Sequence, residues 1–156
     1  MRGTPSHRRQ RGFTLIELLV TMTVMVVMLG IAVPSFKSFT ASQQVKSAAY
    51  DVATALLIAR SEAVKRNRAI TVAPTAGTDW TTGWAVKDSA TVLDQKNSVT
   101  GLTIAGPDNI SYQSNGRITA AAAVTFEITS AAATATKRCV KVGLTGVPST
   151  STGACS

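Results

Sequence analysis

At 156 residues the chain has room for one ordinary domain plus an appendage, which excludes two full domains. Hydrophobic residues make up 45%, but they crowd into one block near the start, and the remainder is rich in Ala, Thr, Ser and Gly. The formal charge of +8 is no nucleic-acid signature by itself: Arg2, Arg8, Arg9 and Arg11 precede Gly12 without any acid, and the other 12 Lys and Arg face 8 acids, a mildly basic balance.

The first element is the apolar block. From Phe13 to Val33 run 21 residues whose only charge is Glu17. As a helix rising about 1.5 Å per residue they span roughly 31 Å, enough to cross the hydrocarbon core of a bilayer. A cleaved secretory signal has a shorter apolar region closed by a small-residue cleavage site. Here Pro34-Ser35-Phe36 follows and the pattern runs on into a polar helix, so the segment reads as an anchor. The arginines before it hold that end on the cytoplasmic side. Glu17 costs about 2.5–3.5 kcal/mol if carried to mid-bilayer. Such a carboxylate either finds a partner or sits shallow enough to reach headgroups and water.

Beyond Pro34 the pattern turns amphipathic. Val45, Ala48, Val52, Ala55, Leu56, Ala59 and Ala63 recur at three- and four-residue steps, which predicts a helix to about Lys65 with one face against a domain. So many alanines on that face require a close approach, for which a sheet is the natural partner. After Arg68, short alternating runs predict strands at 69–73, 83–87, 91–93, 102–105, 110–113, 117–119, 124–129 and 138–144. Asn115-Gly116 marks a hairpin turn, and Gly77-Thr78-Asp79 and Gly106-Pro107-Asp108-Asn109 read as loops. The alanine runs 120–123 and 131–135 fit short helical turns or loops equally. The fold class is α+β: a long N-terminal helix packed on an antiparallel sheet. Cys139 and Cys155 belong to no zinc pattern. In an exported domain they form a disulfide closing a loop of about 17 residues and contributing roughly 3 kcal/mol. Two unlinked thiols would suit a cytosolic protein, which the membrane segment argues against.

Gly12-Phe13-Thr14-Leu15-Ile16-Glu17 behind a basic leader resembles the processing site of type IV pilins and type II secretion pseudopilins. The resemblance implies that a prepilin peptidase cuts between Gly12 and Phe13 and that Phe13 becomes the N-methylated first residue. Glu17 would then meet the N-terminal amine of a neighbouring subunit during assembly, since an ammonium and a carboxylate buried in an apolar filament must satisfy each other. Pro34 falls where the family's helix commonly kinks or melts, a helix break, and proline there removes a backbone donor and disrupts the helix ladder. The implied organisation is a leader at 1–12, a transmembrane and filament-core helix at 13–36, an amphipathic half at 37–68, and a β-rich domain with its disulfide loop at 69–156.

Ala59-Arg60-Ser61-Glu62-Ala63-Val64, Ile70-Thr71-Val72, Gly83-Trp84-Ala85-Val86, Asn115-Gly116-Arg117 and Thr125-Phe126-Glu127-Ile128 look like the GspH/FimT branch of minor pilins. Trp84 reads as a core aromatic, and Lys65, Arg66 and Arg68 lie where cations suit a helix C-terminus. Some FimT-like members take part in DNA uptake through a G-R-x-R motif. The corresponding stretch, Gly146-Val147-Pro148-Ser149, lacks both arginines, which argues against DNA as a partner. Lys137, Arg138 and Lys141 remain as candidate phosphate contacts, with Lys137 and Lys141 on one strand face. An exposed strand edge guarded by charge is the plainer reading.

No catalytic, cofactor or metal site is expected. The one histidine, His7, lies in the leader, and no nucleophile, phosphate-loop or ligand pattern is present. The expected role is a structural minor pilin that primes assembly or sits at the tip of a type IV pilus. The alternatives are a DNA-binding subunit for natural transformation and a type II secretion pseudopilin. The partners implied are other pilins and minor pilins, the prepilin peptidase and an inner-membrane assembly platform. The location implied is the inner membrane, single-pass with the C-terminal domain in the periplasm, and then the fibre.

Overall fold

A computed structural model describes residues 12–131 and 136–156. The arginine-rich leader through residue 11 and most of the 131–135 alanine run lie outside the described residues. Helix α1 covers Leu15–Arg66. The chain divides into a helical unit ending at Lys37 and a unit from Ser38 to Ser156, and each is described by itself.

In the second unit, α1 buries Val45, Ala48, Ala49, Val52, Ala55, Leu56, Ala59 and Ala63. Their three- and four-residue spacing puts them on one stripe. With only methyl groups at most of these positions, the larger side chains of the strands and of the Trp80 turn supply the bulk of the core. α1 ends on Asn67 in the left-handed region (φ 52). The N–H groups of Asn67 and Arg68 bond the carbonyls of Val64 (3.3 Å) and Ala63 (3.2 Å), a Schellman termination that closes the last orphan acceptors. Arg66 and Arg68 then reach Asp88 at 3.7 and 3.6 Å, fixing where the chain turns back.

Among the described residues eight strands follow: β1 (Ile70–Pro74), β2 (Trp84–Asp88), β3 (Thr91–Lys96), β4 (Leu102–Ala105), β5 (Ile110–Tyr112), β6 (Val124–Ser130), β7 (Arg138–Val142) and β8 (Pro148–Thr152). They form two antiparallel four-stranded sheets, β3-β2-β1-β5 and β4-β6-β7-β8, rather than one. Residues 117–119 make no strand; a single bridge joins Ile118 to Tyr112. The Asn115-Gly116 turn does form, with Gln113 and Arg117 bonded across it at 2.8 Å. The alanines at 120–123 then offer no alternating side chains to extend the pairing, and they form bends, not helix. β8 has no apolar alternation and was invisible to a hydrophobic reading; it exists because β7 offers it a free ladder from Arg138↔Thr152 to Val142↔Pro148. Its proline sits at the first position of an edge strand, where a missing donor is harmless.

Trp80, in a 3₁₀ turn at Trp80–Thr82, joins the two sheets. Asp79 caps this turn by accepting from the Thr81 N–H at 2.9 Å. The Trp80 indole meets Phe126 of β6 edge-to-face at 4.7 Å and lies 6.3 Å from Trp84 of β2. Its N–H donates to the Pro107 carbonyl at 2.7 Å, so the ring is buried without an orphan donor. Gly106 makes this possible: a Cβ there would lie 2.4 Å from the Phe126 ring.

Pro34 does not end the helix: α1 runs through it. Proline removes one N–H, and the turns on either side keep theirs; within an apolar helix such a gap is tolerated when nearby hydroxyls and local adjustment supply compensation. The Ser35 hydroxyl donates to the Ile31 carbonyl at 3.4 Å beside the gap.

Cys139 and Cys155 are disulfide-bonded, 16 residues apart. Glu127 supports this tail. Its carboxylate accepts from the Cys155 N–H at 3.3 Å and pairs with the Lys137 ammonium at 3.1 Å. Those two donors, Lys137 first, hold the Glu127 carboxyl below its ordinary pKa.

Two outcomes follow for the detergent-solubilised chain. Gly146 has φ 78, and a Cβ there would lie 2.1 Å from the Gly116 carbonyl oxygen. Gly146→Ala is expected to lower stability by about 1–3 kcal/mol, read as the urea midpoint. Glu127 contributes stability that is present above the unfolded carboxyl pKa of about 4.3 and lost as pH falls through the depressed folded value. The stability gap between wild type and Glu127→Gln should therefore be widest near neutral pH and close below about pH 4. An unchanged gap at acid pH would contradict the assignment.

Candidate functional site

The N-terminal helix begins with a local device. Gly12, Phe13 and Thr14 are non-helical, and Thr14 caps α1. Its hydroxyl accepts from the Glu17 N–H at 3.3 Å, and its carbonyl accepts from the Leu18 N–H at 3.2 Å. Glu17 therefore sits third in the helix, in a Thr-x-x-Glu capping pattern. A carboxylate in the first turn also faces the positive end of the helix dipole. The helix start that the chain supplies itself is thus a reason for the position to be acidic. The Thr-x-x-Glu spacing was legible in the sequence and is the signal that assigns Thr14 a part.

The span beyond is apolar on every side. An 18-residue window has a mean hydropathy of 2.4, and by length and composition the helix can cross a membrane. From Phe13 to Phe39 each large apolar side chain is at least 48% exposed, so lipid or other helices must cover them. The polar groups inside the span are satisfied locally. The Thr21 hydroxyl donates to the Leu18 carbonyl at 2.9 Å and that of Thr23 to the Val20 carbonyl at 2.8 Å, as an apolar medium demands.

The three basic candidates near the C-terminus do not form one free cationic patch. Lys137 is paired with Glu127. Arg138 is half-buried at the start of β7, in phase with the core residues Val140 and Val142. Lys141 is exposed on the opposite face, in phase with Lys137, and its ammonium donates to the Ser156 carbonyl oxygen at 3.5 Å. The Glu127–Lys137 pair had no sequence signal, because Glu127 lies on β6 and Lys137 just before β7, and only the pairing of those strands brings them together. Val147, one of the positions where the DNA-linked motif carries arginine, is 51% exposed.

Arg60 ties the helix to the Asn115-Gly116 turn, its Nε donating to the Gly116 carbonyl at 3.1 Å. Tyr112 is buried nearby, and its hydroxyl is the one buried side-chain polar atom without a partner among the described residues. Burial pushes its pKa up to about 12, against a smaller opposing pull from Arg60. Among the described residues no group of three His, Cys, Asp or Glu is placed to hold a metal.

Residues 48–146 match the family model of the type II transport protein GspH, and residues 7–33 match the prokaryotic N-terminal methylation motif. Two fimbrial proteins of Pseudomonas aeruginosa are each 29% identical over 87 residues, 56% of this chain. The chain spans about half the length of these curated relatives, 54%. The crystal structure of the type IV minor pilin FimU of Pseudomonas aeruginosa superposes with a TM-score of 0.64 at 25% identity, covering 72% of this chain and 92% of that one. The minor pseudopilin EpsH of the Vibrio cholerae type 2 secretion system superposes at 0.54 with 15% identity, covering 70% and 97%, a likeness of fold. With a long helix on antiparallel sheets, an N-terminal methylation motif and a family match over more than half its length, the chain belongs to the GspH family of pilin-like proteins.

Proposed function

We propose that this chain is a structural minor subunit of a type IV pilus, matured by cleavage between Gly12 and Phe13 and methylation of Phe13. The observation that carries the reading is the exposed apolar helix behind a methylation motif, on a domain that superposes over 92% of a type IV minor pilin. Before assembly, lipid covers the helix and the C-terminal domain stands in the periplasm. On assembly, other pilin helices replace the lipid. That exchange is nearly neutral for apolar side chains, since lipid tails are as apolar as leucine. Glu17 makes it directional. In lipid its carboxylate has only the dipole of its own helix, whereas beside another subunit it meets an N-terminal ammonium. The prepilin peptidase, the other pilins and the inner-membrane platform are the partners this requires. The role is structural, with no cofactor.

A type II secretion pseudopilin is the competing reading, and the phenotype separates them. Deletion is expected to reduce surface pili and twitching while sparing exoprotein export; the reverse pattern would assign the chain to secretion. DNA receipt has weaker support, because Lys137 is already paired and Lys141 is drawn to the C-terminal segment.

Glu17→Ala should insert in the membrane at wild-type level yet fall tenfold or more in sheared filaments, since a buried charge left without its partner costs about 3–5 kcal/mol. Equal recovery of variant and wild type would overturn the pairing. Replacing Gly12 with a bulky residue, as in Gly12→Phe, should leave the basic leader attached, read as intact mass of the membrane-extracted chain. A correctly trimmed product would move the processing site elsewhere.

A further inference from the structure

Two charges bracket the apolar span of α1. Lys37 follows Glu17 by 20 positions, and it is the one charged side chain between Glu17 and Lys46. At about 1.5 Å per residue the two stand about 30 Å apart along the helix, the thickness of a bilayer's hydrocarbon core. With Glu17 at one boundary, Lys37 falls among the headgroups of the opposite leaflet. Pro34 agrees with that depth. It lacks the N–H that would close on the Gly30 carbonyl, an opening that costs much in hydrocarbon and little beside headgroups and water.

The surface around Lys37 is shaped. Ala32, Val33, Phe36 and Lys37, at i, i+1, i+4 and i+5, frame a hollow of about 390 Å³. Val33 and Phe36 are 48% and 68% exposed, so its apolar walls open outward. A lysine in this place lines the hollow with its methylene stem and keeps its ammonium at the polar rim. Two hollows deeper in the span lack any charge: one is lined by Thr23, Val24, Val27 and Met28, the other by Met22, Thr23, Val26 and Val27. Those suit any acyl chain, whereas the hollow at Lys37 joins apolar walls to a cation.

We propose that Lys37 and this hollow form a binding site for one anionic phospholipid, with the upper part of an acyl chain along Ala32, Val33 and Phe36 and the phosphate on the Lys37 ammonium. The proposal rests on the membrane-anchored reading above and adds to it a lipid of defined charge and position. Charge complementarity selects the occupant. A zwitterionic phospholipid carries its own cation beside the phosphate, which opposes the ammonium; phosphatidylglycerol brings the phosphate alone. A water-soluble phosphate would gain the ammonium and leave the apolar walls uncovered. Once occupied, the site fixes the depth at which α1 leaves the bilayer and holds the Pro34 opening within reach of water.

The test uses the full-length chain in phosphatidylcholine nanodiscs with a small fraction of diazirine-tagged lipid, either phosphatidylglycerol or phosphatidylcholine, the tag lying near the headgroup end of one acyl chain. Illumination and peptide mass spectrometry should place the phosphatidylglycerol adduct on residues 32–37, about fivefold above the phosphatidylcholine adduct, the weight of one cation near an anionic surface. Lys37→Gln should remove that excess and Lys37→Arg should keep it. Adducts on the arginine-rich leader, which report bulk charge attraction, should be the same in both variants. Equal labelling by the two lipids, or an excess that survives Lys37→Gln, overturns the site. Loss of the excess on adding soluble glycerol phosphate overturns the lipid as its occupant. A chain that fails to enter the nanodisc overturns the membrane-anchored reading and the site with it, while a chain that enters without preferring phosphatidylglycerol overturns the site alone.

Discussion

The structure depends on one constraint: a single helix, α1, has to satisfy two solvents with one ladder of backbone hydrogen bonds. In its first half large apolar side chains are exposed on every side, and the threonine hydroxyls bond back to their own helix. In its second half one side belongs to the domain core. Alanine is the residue that reconciles helix propensity with close approach there, because it is the best helix former and its methyl lets strands come near. The bulk that alanine forgoes is supplied by Trp80, Trp84, Phe126 and the branched residues of the sheets. Any large residue placed on the alanine stripe would push both sheets outward together.

The two sheets follow from that supply. Trp80 connects them by contacting Phe126 on one and approaching Trp84 on the other. Its indole needs an acceptor within the core, which the Pro107 carbonyl provides, and a gap beside Phe126, which Gly106 leaves. The 3₁₀ turn, the β4–β5 loop and the β6 ring are thus mutually conditional. This explains why a loop that reads as polar punctuation carries one of the largest buried side chains.

What could be read from the sequence was what depends on neighbours along the chain. The Gly12-to-Glu17 processing pattern, the apolar span, the alanine spacing of α1 and the strands with β-branched alternation are local. So is the Thr14–Glu17 capping relation. What could not be read depends on register between distant segments. β8 is made of proline, serine and threonine, and only the free edge of β7 makes it a strand. The split into two sheets has no local cause. Pro34 marks a real gap in hydrogen bonding, but the turns on either side carry α1 through it. The cysteines were legible as a pair because no other cysteine competes, yet the Glu127 clamp over Cys155 needs the pairing of Glu127 with Cys139 across β6 and β7 together with the disulfide.

The distribution of charge points the same way as the helix. On the domain, acids are used to hold elements in place: Asp51 binds Lys96 at 2.9 Å and ties β3 to α1, Asp88 collects Arg66 and Arg68 at the helix end, and Glu127 takes Lys137. A modest excess of base remains, distributed over several elements instead of concentrated on one groove. A nucleic-acid surface needs the opposite arrangement, with cations free and convergent so that counterion release adds up. A filament subunit needs charges that lock its own domain and leave the long helix to choose its neighbours. In α1 the charges thin out toward the N-terminus until only Glu17 remains among apolar side chains, in the first turn of the helix.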